Sequence, residues 1–113
     1  MLSDKVRLQH IREAIRKIED FISLVDEASF KESELVQSAV ERQLEIIGEA
    51  ANYLTEEFKD RHPEMEWNKL RGFHNIIVHE YFGVSTQIIW TSVQQRIPQL
   101  KKIVIKILDN NEL

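Results

Sequence analysis

The sequence predicts an all-α protein, an up-and-down four-helix bundle built as a single domain over residues 1–113. Apolar residues recur at steps of three and four along most of the chain, which is the period of an amphipathic helix. Only three glycines and two prolines occur, too few for the tight turns of a many-stranded sandwich or barrel. Hydrophobic residues make up 42%, so the chain can form a small core that a second copy would extend.

The first two predicted helices form an antiparallel pair. Helix one is predicted from about Asp4 to Val25, with its apolar residues on one stripe. The segment DEASFKES, residues 26–33, loses the helical period and is predicted as a short connection in which Ser29 or Ser33 caps the next helix. Helix two is predicted to run from there to about Lys59 without a break, and its wide apolar side suggests more than one packing neighbour.

A proline separates this pair from the third helix. Pro63 cannot continue a helix and disfavours helical geometry in the residue before it, so a loop is predicted around it. Helix three is predicted to follow from about Trp67 to Phe82, and Gly83 is its expected C-terminal stop. His62, in the predicted loop, is expected to be exposed, as is His10 on helix one.

The fourth helix completes the bundle. Ser85 or Thr86 is predicted to cap it, and it continues to near Leu108 with a kink at Pro98. The segment IVIKIL near its end also has the composition of a strand. No other part of the chain offers that strand a partner, so the sequence favours the helix.

Charge and cysteine content exclude several classes of protein. With 15 Lys and Arg against 19 Asp and Glu, the formal net charge is −4, which disfavours general coating of nucleic acid and leaves only local basic sites. The absence of cysteine excludes a disulfide framework or a thiolate metal site and favours the cytoplasm. The N-terminus lacks a signal-peptide pattern and no stretch approaches eighteen apolar residues, so we expect no membrane association.

Polar residues crowd into the end of the third predicted helix. Residues 71–83 read RGFHNIIVHEYFG and contain Arg71, His74, Asn75, His79 and Tyr81. At about 100° per residue, Arg71, Asn75 and His79 lie along one edge of the helix. His74 and His79 are roughly 140° apart, too far for one helix to chelate a metal with both. No Glu-x-x-His motif occurs elsewhere either, so neither a metal nor a cofactor is expected.

Other charged residues have two readings each. Arg42 and Glu49 are seven apart on helix two and point in nearly the same direction, so they either line a groove beside the motif or make structural hydrogen bonds. Basic clusters at residues 12–17 and 101–106 are either solvated faces or surfaces that steer an anionic ligand.

The segment HNIIVHEYFGV, with the upstream WNKLRGF and the downstream IIW and IPQL, resembles the HEPN superfamily. It resembles in particular the HepT-like toxins of prokaryotic HEPN/MNT toxin–antitoxin pairs, whose signature is an arginine, a polar residue, three mostly apolar residues, a histidine, any residue and a tyrosine. His79 and Tyr81 match the last positions, Asn75 the polar one, and Phe82 and Gly83 the turn that follows. The segment VERQLEIIGEAANYL also looks like the family's second helix.

This resemblance implies a homodimeric bundle that acts as a metal-independent ribonuclease on RNA, with transfer RNA as the expected target. It implies that His79 is catalytic and that the site forms where two copies of the motif helix meet. Histidine suits this chemistry because it titrates near neutral pH. The implied partner is a minimal nucleotidyltransferase antitoxin that adenylates Tyr81 (AMPylation), which places bulk and negative charge where the RNA phosphate must lie.

The sequence departs from the family pattern at one position, because His74 stands where the family has its arginine. Three interpretations remain open. His74 is the second acid or base of a two-histidine ribonuclease, or Arg71 supplies the missing charge beside Asn75, or the site has lost activity and kept binding. The last makes the chain an inactive adaptor for binding RNA or nucleotides, or for dimerisation. A neutral histidine does not replace a guanidinium as a bidentate phosphate clamp.

Overall fold

A computed structural model describes residues 2–72 and 85–113 of the chain. Its elements are α1 (Asp4–Ile22), α2 (Glu27–Glu32), α3 (Glu34–Asn52), α4 (Glu56–Arg61), a 3₁₀ turn (Trp67–Leu70) and α5 (Thr86–Asp109). Every regular element of the described part is helical, which confirms the predicted all-α class. None of the described helices is long and apolar enough to cross a membrane.

Each of the helices α1 to α5 begins after a polar residue whose side-chain oxygen accepts a hydrogen bond from a backbone N–H three residues later. These N-caps are Ser3, Asp26, Ser33, Thr55 and Ser85. Ser33 and Ser85 confirm the predicted starts of the second and fourth helices. The other cap in the predicted connection is Asp26, which caps α2, and not Ser29. The backbone N–H of Ser29 donates to the Asp26 carboxylate and lowers the pKa of Asp26.

The connection predicted for residues 26–33 contains a short helix, α2. The prediction failed because the segment has only one apolar residue of any size to bury, Phe30, which is fully buried. Its ring packs against Trp90 of α5, with centroids 5.2 Å apart. The side chain of Gln37 donates to the carbonyl oxygens of Phe30 and Lys31, so α3 holds the end of α2.

The first helix also ends at Ile22 and not at Val25.

The second predicted helix is wrong as a single element, because α3 ends at Asn52 and α4 begins only after Thr55. The apolar spacing still identified core residues, since Leu54 within the break and Phe58 after it are both buried. The break occurs where Thr55 bonds to the Asp4 side chain of α1, which redirects the chain.

The core forms around α1, which contacts α3 on one side and α5 on the other. The helices contribute apolar residues at the predicted three- and four-residue steps. Fully buried examples are Leu8, Ile11 and Ile18 of α1, Val40 and Ile47 of α3, and Leu100, Val104 and Ile107 of α5. The IVIKIL segment is helical, as predicted, and α5 continues through Pro98. The kink expected there stays a prediction.

Candidate active site

Most of the predicted signature lies outside the described residues. This holds for His74, Asn75, His79 and Tyr81, whose assignments therefore remain predictions. The structure does describe the approach to the signature, residues 61–72, together with the other predicted site residues, Arg42 and Glu49.

Arg71 lies at the end of the 3₁₀ turn, where the chain becomes helical again. The turn is anchored by Trp67 and Leu70, which are both almost completely buried, whereas Arg71 is exposed. Within the described residues Arg71 forms no ion pair. An exposed guanidinium on a fixed turn, with no carboxylate partner among the described residues, is suited to contact an anion.

The corner before Arg71 is built by three aromatic rings. The ring of His62 lies 4.6 Å from that of Phe58, which in turn lies 5.3 Å from Trp67. The indole Nε1 of Trp67 donates to the backbone oxygen of His62 at 2.9 Å, and this bond is buried. These contacts fix the direction in which the chain enters the signature.

The expectation that His62 is exposed was wrong, because only 7% of its surface is accessible. Pro63 does place a loop after it, but the loop folds back so that the imidazole covers Phe58. Its Nδ1 lies 3.4 Å from Glu64 Oε1, and its Nε2 is buried with no hydrogen-bond partner among the residues described. Sequence reasoning had no signal for this burial beyond the i,i+4 spacing of Phe58 and His62.

Arg42 and Glu49 both lie on the exposed face of α3. Arg42 Nη1 is 3.7 Å from Glu45 Oε2, so its nearest carboxylate is one turn away and is not that of Glu49. Burial raises the pKa of the nearby Glu41, and the negative charge of Glu45 contributes to the rise. This face of α3 is therefore mainly acidic and does not resemble a phosphate-binding surface.

The basic cluster at residues 12–17 is partly neutralised. Arg16 makes two hydrogen bonds to the Glu13 carboxylate and one to Asp20, at 2.6 to 3.1 Å. The hydrogen bonds from Arg16 lower the pKa of Glu13. Arg16 therefore serves its own helix. Across the described part of the chain, no group of three or more histidine, aspartate or glutamate side chains is placed to hold a metal ion.

Comparison with known proteins gives one family. The family model described as "Ribonuclease HepT-like" matches residues 11–107. The "Probable ribonuclease HepT" of Thermococcus cleftensis is 39% identical over 99 residues, which cover 88% of this chain and 90% of the relative. A "Putative RNase" of Methanocaldococcus jannaschii is 34% identical over 100 residues, covering 88% of this chain and 92% of the relative.

A "Putative RNase" of Caldanaerobacter subterraneus subsp. tengcongensis matches along its whole length. It is 32% identical over 112 residues, covering 99% of this chain and 100% of the relative. No solved structure matches the chain.

Proposed function

Because this chain belongs to the ribonuclease HepT-like family, we propose that it is a metal-independent endoribonuclease that cleaves RNA, with transfer RNA as the target class. The observation that carries the proposal is the family match over residues 11–107, which includes the His79-x-Tyr81 pair in the sequence. The relatives of similar length that carry RNase names support the same activity.

The proposed reaction uses the RNA's own 2′-oxygen as nucleophile. The 2′-oxygen forms a bond to the adjacent phosphorus, its proton passes to a base, and the bond from phosphorus to the 5′-oxygen breaks. The departing 5′-oxygen takes up a proton, so the products are a 2′,3′-cyclic phosphate and a 5′-hydroxyl. His79 is assigned to one of these proton transfers because histidine exchanges protons near neutral pH. This step requires no metal ion and consumes no water.

The other site residues are assigned by charge and hydrogen-bonding capacity. Arg71 supplies permanent positive charge for the phosphorane-like transition state, which its exposure and lack of an ion pair among the described residues support. Asn75 donates a hydrogen bond to the phosphate. His74 occupies the position of the family's arginine in the signature, and Arg71 supplies the charge in its place. Arg42 and Glu49 are assigned a structural role on the exposed face of α3, where the carboxylate nearest to Arg42 is that of Glu45.

Regulation by a partner follows from the same family membership. We propose that the protein is a homodimeric, cytoplasmic toxin, neutralised by a cognate minimal nucleotidyltransferase. In this reaction the Tyr81 hydroxyl attacks the α-phosphorus of ATP, pyrophosphate leaves, and an adenylate remains on the tyrosine. Intact-mass measurement after incubation with the transferase and ATP is expected to show this addition, and Tyr81→Phe is expected to remain unmodified. An adenylated Tyr81→Phe protein would place the modification elsewhere.

The ribonuclease proposal is tested by cleavage assays in excess EDTA. The purified protein is expected to cleave RNA, and His79→Ala is expected to abolish cleavage without changing the thermal unfolding temperature. His10→Ala, an exposed histidine of α1, is the matched control and should cleave like wild type. Equal cleavage by wild type and His79→Ala would refute the assignment.

The second candidate is an adaptor that binds RNA without cutting it. One observation favours it, the presence of His74 where the family signature has arginine. The adaptor predicts RNA binding with no turnover by wild type under any of the conditions above.

A further inference from the structure

The last helix carries a charge bias that the proposed reaction does not use. Between residues 80 and 109 the sequence contains no aspartate or glutamate, although the whole chain has 19 such residues and a formal net charge of −4. The same stretch contains Arg96, Lys101, Lys102 and Lys106. α5, whose only acidic residue is Asp109 at its last position, therefore carries a net positive charge in a chain that is acidic overall.

A surface cleft of about 690 Å³ runs beside the C-terminal half of α5. Three lysines line it, Lys101, Lys102 and Lys106, together with the apolar side chains of Pro98 and Ile105. A concave, cationic surface of this size is large enough for several atoms of a ligand and is most attractive to an anion.

The lysines of this cleft are not equivalent. Lys101 Nζ lies 2.7 Å from Glu19 Oε2, so this ammonium group joins α5 to α1. Lys102 and Lys106 are exposed and make no ion pair with any residue in the described part of the chain, including Asp109, the other acid of the cleft. Two of the three positive charges are therefore available to an external ligand.

The available charges lie on one stripe of the helix. Lys102 and Lys106 are one turn apart, on the order of 6 Å along the axis, and Gln95 lies two turns before Lys102 on the same side. All three side chains are exposed. A stripe of cations and amides roughly 16 Å long suits a ligand whose negative charge repeats at short intervals.

We propose that this stripe, formed by Gln95, Lys102 and Lys106, binds the phosphate backbone of single-stranded RNA outside the nucleotides that react. The inference rests on the proposed function, since it extends the same substrate along α5, which begins five residues after Tyr81 in the sequence. RNA is favoured over an acidic protein because a stable protein interface is centred on large buried anchors, typically aromatic, and the apolar side chains that line this cleft are Pro98 and Ile105, with no aromatic ring.

The test measures how RNA binding depends on salt. The probe is a fluorescein-labelled 20-nucleotide 2′-O-methyl RNA, which lacks the nucleophilic 2′-hydroxyl and cannot be cleaved. Each phosphate contact on a single strand contributes about 0.7 to the slope of log K against log salt. K102Q/K106Q is therefore expected to reduce the slope by about 1.4 and to weaken binding roughly 25-fold at 0.1 M salt.

The matched control is K5Q/K17Q, which removes two exposed lysines of α1 that also form no ion pair within the described residues. It is expected to retain the wild-type slope. Gln95→Lys adds a cation to the stripe and is expected to steepen the slope by about 0.7, a gain that damage to the fold cannot produce.

The outcomes separate this inference from the proposed function. An unchanged slope in K102Q/K106Q, an equal loss in both double variants, or no RNA binding by wild type would overturn the stripe. Cleavage of ordinary RNA by wild type, with an unchanged KM in K102Q/K106Q, would overturn the stripe and leave the ribonuclease intact. Salt-dependent binding through the stripe without any cleavage would keep the stripe and refute the ribonuclease.

Discussion

Thr55 donates two hydrogen bonds to the carboxylate of Asp4, from its backbone N to Oδ1 at 2.9 Å and from its Oγ1 to Oδ2 at 2.7 Å. The same hydroxyl oxygen accepts a hydrogen bond from the backbone N of Phe58 at 3.2 Å and so caps α4. The pair joins the first turn of α1 to the start of α4, 51 residues away. One contact therefore closes the end of the bundle where the chain leaves α3.

Asp4→Ala is expected to lower the free energy of unfolding by about 1 to 2 kcal/mol, because it removes two hydrogen bonds to a charged acceptor at the surface. Urea unfolding at neutral pH measures the change. Asp60→Ala is the control, since this exposed aspartate of α4 makes no ion pair with a described residue, and it should cost less than about 0.5 kcal/mol. Equal losses would show that the contact contributes nothing specific.

Trp67→Phe is expected to destabilise the protein by at least about 1 kcal/mol more than Trp90→Phe. Both substitutions shorten a side chain that packs on a phenylalanine. Among the bonds between described residues, Trp67 also donates to the buried carbonyl of His62 and Trp90 has no such bond, so Trp67→Phe deprives that carbonyl of its best donor. Urea unfolding followed by far-ultraviolet circular dichroism avoids any dependence on tryptophan fluorescence. A smaller loss for Trp67→Phe would contradict the assigned role of this bond.

Glu41→Gln is expected to stabilise the protein at neutral pH, because it removes a negative charge that burial and the repulsion from Glu45 disfavour. The gain is expected to be less than about 0.5 kcal/mol, because solvent screens these partly exposed carboxylates. Burial and Glu45 raise the pKa of Glu41 in the folded state, so the native protein binds more protons than the unfolded chain. The contribution of Glu41 to stability therefore falls as the pH rises through and above the ordinary glutamate pKa of 4.5.

The stability gained by Glu41→Gln should shrink as the pH falls below 4.5, because Glu41 then becomes protonated in both the folded and the unfolded protein. Urea unfolding at pH 4 and pH 7 measures it. Glu32→Gln, at an exposed glutamate of α2 that forms no ion pair among the residues described, should show no such pH dependence. A loss of stability in Glu41→Gln at pH 7 would reverse the predicted sign.

The fold was predictable where a local pattern and the tertiary contacts agree. Ser33 and Ser85 were recognisable caps, and the apolar steps of α1, α3 and α5 identified the core. The end of α3 was not predictable, because the carboxylate that binds Thr55 comes from Asp4, far away in the sequence. Periodicity alone continued through the break, since Leu54 in the link between α3 and α4 and Phe58 in α4 are both buried.

At the candidate site, the sequence predicted which residues take part, and the structure describes the surroundings of Arg71, Arg42 and Glu49. The exposure of Arg71 agrees with a role in binding an anion, whereas the pairing of Arg42 with Glu45 was not predicted. The burial of His62 was missed because a loop residue beside proline is usually exposed. Its contact with Phe58 is local, at i,i+4 spacing, but that spacing alone does not distinguish a buried histidine from an exposed one.

Arg71→Gln is expected to lower kcat/KM for RNA cleavage by about 100-fold, the typical loss when one group that stabilises transition-state charge is removed. Arg71→Lys should recover part of it, because lysine keeps the charge but loses the two-pronged geometry. Lys69→Gln is the control, since Lys69 is already paired with Glu66 at 3.0 Å, and should stay within about twofold of wild type. Equal losses at both positions would indicate general attraction of RNA instead of a site residue.

His74→Arg tests whether Arg71 replaces the arginine that the family signature has at position 74. In the Arg71→Gln background, His74→Arg is expected to raise kcat/KM at least about tenfold above that of Arg71→Gln alone. The arginine at position 74 then supplies the charge that Arg71 supplied, so the effects of the two substitutions are not additive. No recovery would mean that position 74 does not face the reacting phosphate.

The single variant separates the remaining interpretations. If His74 is instead the second proton-transfer group, His74→Arg alone abolishes cleavage and removes one limb of the pH profile of kcat/KM. If wild type binds RNA without cutting it and His74→Arg cuts, the natural protein is an adaptor whose site lacks only the guanidinium. Cleavage rates of wild type, both single variants and the double variant across pH 5 to 9 decide among these, since recovery in the double variant, loss in His74→Arg and gain in His74→Arg are three different outcomes.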